Sequence, residues 1–397
     1  MMEVADDGGL HPRAFLTVAG RMVARHQIEL ALALECRRIV CLVRTITPEV
    51  TALKARAEEA GAYFHALLDP RSLLSLASAS DELIVFTDSL MAEPRAAIEL
   101  LASGNVVLVQ PAEAGLPSGF ERLDLNRATG GIMAIPARLV ERLAELPPDY
   151  DLPSALTRIA LQSGVPMREI PEASRIGGRW QFVRSESEAH ALDSVWIALN
   201  LGEGSGAMPS EMLARSAIHA FGSSLLHAGS SSRILSFGTA ILLTMALGSG
   251  WLGAFATAFA IVSLACLLGQ ASIMLMRVEQ GTLEPLGSIA ALSAVLGWLI
   301  DAILALLVAW PAPPLQATSL IGRSFAPLVL VGILRLVPWL FERKLALWTQ
   351  DRMIVAAILA VAASFGAAMK VCELMTALLI AGAVAHRSVG TGRQGRL

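Results

Sequence analysis

Five side chains fall where their chemistry demands an explanation. Asp301 lies deep in the apolar run PLGSIAALSAVLGWLIDAILALLVAW, where a carboxylate needs a partner, a water-filled cavity or a proton. Arg323, in the next apolar run, is the candidate to share that burial, and an ion pair between the two would offset the cost of both. Such a pair serves equally as a packing device or as polar lining for a solute passage. Arg277 closes the uncharged run LGAFATAFAIVSLACLLGQASIMLM, where it can bind a phosphate or snorkel to the headgroups. Asp88 follows the apolar run ELIVF; it is a Mg²⁺ ligand if a second carboxylate and a phosphate-bearing substrate join it, or otherwise the cap of the turn. Arg13, near the start, carries a planar guanidinium fork rather than a point charge.

The elements that must position these groups differ between the two halves of the chain. Up to about residue 200, charged and apolar residues mix as in an α/β domain, whereas from Arg233 onward apolar runs dominate. The Gly/Ser-rich stretch LGEGSGAMPS, 201–210, separates them. In the first half the pattern predicts helices at 22–34, 48–60, 72–79 and 94–102, and strands at 39–43, 82–86 and 106–109. Trp180 to Val183 reads as an edge strand and 186–200 as a helix. That alternation predicts a mostly parallel sheet covered by helices, with Asp88 at a carboxyl strand end where ligands collect.

In the second half, 209–227 predicts an amphipathic helix lying in the membrane interface, with Met212, Leu213, Ala217, Ala220, Phe221 and Leu225 on its apolar face. Six spans are expected at 234–249, 252–276, 286–310, 319–341, 353–369 and 371–385, each judged against a hydrocarbon core of roughly 30 Å. The loops after the second and fourth spans and the tail carry Arg277; Arg343, Lys344 and Arg352; and Arg387, Arg393 and Arg396. Opposite them stands only Lys370, which places both termini in the cytoplasm by the positive-inside rule. No basic segment followed by an apolar core opens the chain, so the first half is expected to stay cytoplasmic and the spans to lie in the inner membrane.

Composition excludes several classes. A net charge of −3 over 397 residues, with no clustered arginines, argues against nucleic acid. Cys36, Cys41, Cys266 and Cys372 form no zinc-type pair and read as packing residues. His219 and His227, eight apart, read as polar-face histidines rather than ligands.

Two resemblances follow. HPRAFLTVAGRMVARHQIELAL, TDS at 87–89 and ATGGIMAIPARLVERL at 128–143 resemble sugar-phosphate nucleotidyltransferases, covering about 12–170. The resemblance puts Arg13 at that family's lysine and Asp88 at its metal-binding aspartate. The family's phosphate-cradling Gly-rich loop has no counterpart, because only MMEVADDGGL stands before Pro12 and its Asp6 and Asp7 would repel phosphate. Gly130 and Gly131 match its Gly-Gly strand, although a turn needing positive φ explains them equally. From about 209 to 385, the order of elements resembles the CDP-alcohol phosphotransferases, whose D-x-x-D-G-x-x-A-R, eight residues, then G-x-x-x-D-x-x-x-D holds two metals. Anchored on Arg277, the four carboxylate positions fall on Gly269, Ser272, Ala291 and Val295, and only Glu279 and Glu284 lie between Trp251 and Trp298.

The expected organisation is a nucleotidyltransferase-like cytoplasmic domain (1–200), a linker with the interfacial helix (201–232), a six-span membrane domain (233–386) and a cytoplasmic tail (387–397). The expected function is that of a bifunctional plan without its catalytic groups, binding a membrane lipid, a nucleotide or lipid phosphate, or a partner enzyme of phospholipid metabolism. It takes no cofactor and no catalytic residue, with Arg13, Asp88 and Arg277 as weak binding residues. The alternatives are an active head-group enzyme with a rearranged site, which would need Mg²⁺, and a transporter using Asp301 and Arg323. The second resemblance leaves a homodimer through the membrane domain open.

Overall fold

The structure is a computed structural model that describes residues 3–6, 11–146, 151–202, 208–227, 231–281, 283, 287–310, 320–340 and 343–394. The chain divides into two compact units, Met1–Leu199 and Asn200–Leu397.

The first unit is α/β. The hairpin β1 (Thr17–Val18) and β2 (Arg21–Met22) leads into α1 (Val23–Ala33), β3 (Arg38–Leu42), α2 (Pro48–Glu59) and β4 (Tyr63–Leu67). Helix α2 starts where Thr47 accepts the Val50 N–H and Pro48 supplies a preset φ. A short α3 (Leu73–Leu76) precedes β5 (Glu82–Phe86), β6 (Leu90–Ala92), α4 (Pro94–Leu101) and β7 (Val106–Pro111). Then come α5 (Ala112–Gly115), β8 (Arg127–Pro136), a 3₁₀ stretch (Ala137–Glu145) and α6 (Leu152–Gln162). Strand β9 (Met167–Glu169), α7 (Glu172–Arg175), β10 (Trp180–Phe182) and α8 (Glu186–Leu201) complete it.

The sheet is mixed rather than mostly parallel. Strands β3 and β4 pair in parallel, as the helical crossover between them requires, but the four-stranded sheet runs β5-β8-β7-β9 with β8 antiparallel to both neighbours. The reason lies in the connection: β8 follows β7 through the four-residue α5 and a loop instead of a crossover helix, so it returns in the opposite sense. Gly130 and Gly131 then have separate backbone reasons. A Cβ on Gly130 would sit 2.9 Å from the Leu108 carbonyl oxygen, and Gly131 holds φ +77°. Trp180 Nε1 donates to the Gly130 carbonyl at 2.8 Å, fixing β10 over this point.

Two apolar layers cover the sheets. One gathers Ala24, Ile28, Val50, Leu53 and Phe64 beneath α1 and α2; the other gathers Val107, Met133, Ile135, Leu156 and Ile159 beneath α6. Buried charges are tied down: Glu29 meets Arg21, and accepts from Arg25 Nε at 3.1 Å. The His26 ring donates through Nε2 to the Val18 carbonyl at 3.0 Å, and desolvation, aided by the Arg21 charge, holds its pKa down at about 3.

The second unit is helical: α9 (Pro209–His227), α10 (Ser231–Trp251), α11 (Phe255–Gln280), α12 (Gly287–Ala309), α13 (Leu320–Leu340), α14 (Arg343–Thr349), α15 (Arg352–Ser364) and α16 (Ala368–Gln394). Four of these helices are long and apolar enough to cross a membrane: 232–251, 255–280, 289–309 and 368–385. The described parts of α13 and α15 are shorter apolar helices. Helix α11 is the hub, packing against α9, α10, α12 and α15 around Phe259, Val262 and Cys266. Outward-facing Phe237, Leu264, Val295 and Leu378 are more than half exposed, the apolar exterior that lipid favours.

Helix α9 leaves Met212, Leu213, Ala217 and Ala220, on the face expected to meet lipid, exposed. Among its described side chains the buried positions are Ser210, Ala214, Ile218 and Gly222, a stripe four apart that is mostly small residues and packs on α11.

Candidate functional site

The strongest polar constellation in the helical unit is built on Asp301, which is 1% exposed. Arg352, at the first turn of α15, forks onto it: Nε donates to Oδ1 at 3.1 Å and Nη2 to Oδ2 at 3.3 Å. Arg335 of α13 adds an ion pair, with Nη2 2.6 Å from Oδ2 but poorly aligned for a hydrogen bond, and its guanidinium stacks 3.4 Å over the Trp298 ring. Beside them, Asp351 caps α15 through the Met353 N–H at 2.9 Å and accepts the Ser210 N–H of α9 at 2.7 Å. Ser263 of α11 donates to the Met353 carbonyl at 3.0 Å.

Two carboxylates and two guanidiniums therefore converge where α9, α11, α12, α13 and α15 meet, and their charges cancel. Asp301 meets Arg335 and Arg352; the side chain of Arg323, its expected partner, lies outside the described residues. In the sequence, Arg335 and Arg352 stand near the ends of their apolar runs, which reads as an interfacial arginine and a cytoplasmic loop charge rather than as partners of Asp301.

The four positions matched to the phosphotransferase carboxylates do not converge. Gly269 and Ser272 face inward on α11, while on α12 Ala291 is exposed and Val295 is 65% exposed. A Cβ on Gly269 would meet Leu296 Cδ2 at 2.8 Å, so α12 packs its Leu296 tip against that glycine and a side chain there would require the tip to shift. Ser272 donates to the Ser232 carbonyl at 3.0 Å and lies 2.6 Å from the Ser236 hydroxyl, joining α11 to α10. Glu279 receives the Ser232 N–H at 3.2 Å and the Ser232 hydroxyl; Glu284 lies outside the described residues. Arg277 is half-buried in the last turn of α11, and its buried Nε has no hydrogen-bond partner. Among the described residues no three His, Cys, Asp or Glu side chains gather as a metal site would require.

In the first unit, Arg13 and Asp88 do come together. Both line a cavity of about 700 Å³, along with Glu3 and Asp6. Arg13 binds Glu3 and Asp6, and Asp88 Oδ2 accepts the Glu3 N–H at 3.2 Å. Burial pulls the Arg13 pKa down, but the Asp6 hydrogen bond and the charges of Glu3, Asp6 and Asp88 outweigh it and hold the guanidinium more firmly charged. A phosphate at Arg13 would have to displace two of the chain's own carboxylates. Asp7 lies outside the described residues. Cys41 faces this cavity, and burial pushes its thiol up to about 12, which keeps it an unreactive packing residue. His219 is exposed, and the His227 side chain lies outside the described residues.

No protein-family model matches the chain, and no curated protein matches it.

Proposed function

We propose that this is a multi-pass membrane protein of phospholipid metabolism that binds a lipid phosphate and transfers nothing. It is built on the plan of a nucleotidyltransferase-like domain ahead of a CDP-alcohol phosphotransferase-like unit. The observation that carries this reading is the orientation of Gly269, Ser272, Ala291 and Val295: two are packed between helices and two face outward. Two-metal phosphotransfer needs carboxylates converging on one space, and these four positions neither carry carboxylates nor face one space. Arg277, in the last turn of α11 with a buried Nε that has no hydrogen-bond partner, is able to hold a phosphate through a charge-assisted bond.

Native mass spectrometry of the purified full chain tests the binding half of this reading. Anionic phospholipid should survive detergent exchange, and Arg277→Ala should reduce its occupancy about tenfold, the equivalent of roughly 1.4 kcal/mol. Unchanged occupancy in the variant would remove Arg277 from the site.

The reading includes six crossings in the inner membrane, with α13 and α15 as the fourth and fifth, and both termini in the cytoplasm. Four crossings or six are both even, so the two termini share a side in either case. Arg352 leaves the charge asymmetry, since it is committed to Asp301, and the orientation then rests on Arg277, Arg343, Lys344 and the tail. A cysteine placed at Trp348, which is 62% exposed, should react with impermeant maleimide from the cytoplasmic side alone. Reaction only from the opposite side would reduce the crossings to four.

A further inference from the structure

Among the described residues, no group accepts a hydrogen bond from the Arg335 guanidinium, although its Nε and Nη2 are buried. Its neighbours explain why. Asp301 gives both oxygens to the fork of Arg352, and Asp351 is committed to the Met353 and Ser210 amides, so Arg335 keeps only the misaligned approach of Nη2 to Asp301. Its N–H donors lack an acceptor.

The surroundings show where an acceptor has to come from. Trp298 covers one face of the guanidinium, and with Nε and Nη2 enclosed, Nη1 is the nitrogen left open to a ligand. The Arg335 side chain is 28% exposed and Trp298 is 60% exposed, so the stacked pair stands at the outer surface of the helical unit. That surface is apolar. Trp298, Ala302 and Leu306, four apart on α12, are exposed, as is Leu328, two helical turns from Arg335 on α13.

In a bilayer, water does not serve such a surface, and a donor left unanswered there is costly until lipid supplies an oxygen. Arg335 stands five residues, about 8 Å along the axis, from the end of α13, within reach of a headgroup.

We propose that Arg335 and Trp298 bind the phosphate of an anionic glycerophospholipid, whose acyl chains lie along the exposed rows from Trp298 to Leu306 on α12 and from Arg335 to Leu328 on α13. The phosphate takes charge-assisted hydrogen bonds from Nη1. Stacking on Trp298 and the contact with Asp301 hold the guanidinium in place before the lipid arrives, which lowers the cost of binding. This site rests on the reading that α13 crosses the membrane, and it does not involve Arg277.

The test is thermal unfolding of the detergent-solubilised Arg277→Ala chain, which removes the arginine assigned above to a lipid phosphate. Added palmitoyl-oleoyl phosphatidylglycerol should raise Tm by at least about 3 °C. Diacylglycerol with the same chains, or inorganic phosphate at the same concentration, should each give less than half that shift. Adding Arg335→Gln should remove most of it, and so should Trp298→Ala, a change at an exposed position. Arg335→Gln leaves Asp301 forked by Arg352, so the lipid-free variant should still unfold cooperatively and serve as its own reference. Three results would overturn the proposal: no shift with phosphatidylglycerol, an equal shift with diacylglycerol or inorganic phosphate, or a shift that survives both variants. Comparing wild type with Arg277→Ala reads the Arg277 site separately, so the two proposals fail independently.

Discussion

Replacing Asp301 with leucine is expected to cost the helical unit about 3–5 kcal/mol, because it removes the carboxylate that Arg335 and Arg352 both contact and leaves the cluster with excess positive charge. Asp301 is 1% exposed, and the side chains of Arg335 and Arg352 are 28% and 23% exposed, so solvent screens the cluster weakly. The triple variant Asp301→Leu, Arg335→Met, Arg352→Met removes all three charges and keeps the apolar volume, and should regain most of the loss. Thermal unfolding of the detergent-solubilised chain would read both effects. A near-neutral Asp301→Leu would mean that water already reaches the carboxylate, and would favour the polar passage that a transporter needs.

That cluster also marks how far the sequence could be read. Asp301 was legible as a buried charge, since one carboxylate in an uninterrupted apolar run has few other meanings. Its partner was not. Arg323 and Arg335 lie on the same helix about 18 Å apart along its axis, and nothing in the spacing says which turn of α13 faces α12. Arg352 required knowing that α15 begins at Asp351, a cap visible only once Asp351 is seen to take the Met353 and Ser210 amides.

The soluble unit follows the same division. The strands at 38–42, 82–86 and 106–111 and the helices between them follow the apolar periodicity closely. Strand β4 was missed because YFHAL mixes polar and apolar residues without clear alternation. The sense of β8 was missed because sheet direction depends on a connection, and a loop with a four-residue helix carries no periodic signal. In the helical unit, the inward turn of Gly269 and Ser272 and the outward turn of Ala291 and Val295 depend on how α11 and α12 are rotated, which motif spacing does not encode.

The proposed function requires that the helical unit carry no phosphotransfer machinery. A CDP-alcohol brings a diphosphate whose transfer requires activation of the attacking hydroxyl and stabilisation of the leaving oxygens, work that a pair of metal ions on converging carboxylates performs. Here Glu279 is held by Ser232, and Asp301 is held by Arg335 and Arg352. Installing aspartates at Gly269, Ser272, Ala291 and Val295 together should not create activity, because the last two face away from the first two. The decisive measurement is CMP release by the reconstituted full-length protein supplied with CDP-diacylglycerol and polar alcohols. No CMP above a protein-free control is expected, with or without Mg²⁺ or Mn²⁺. Metal-dependent CMP release that disappears in Arg277→Ala would contradict it and make the site an active enzyme.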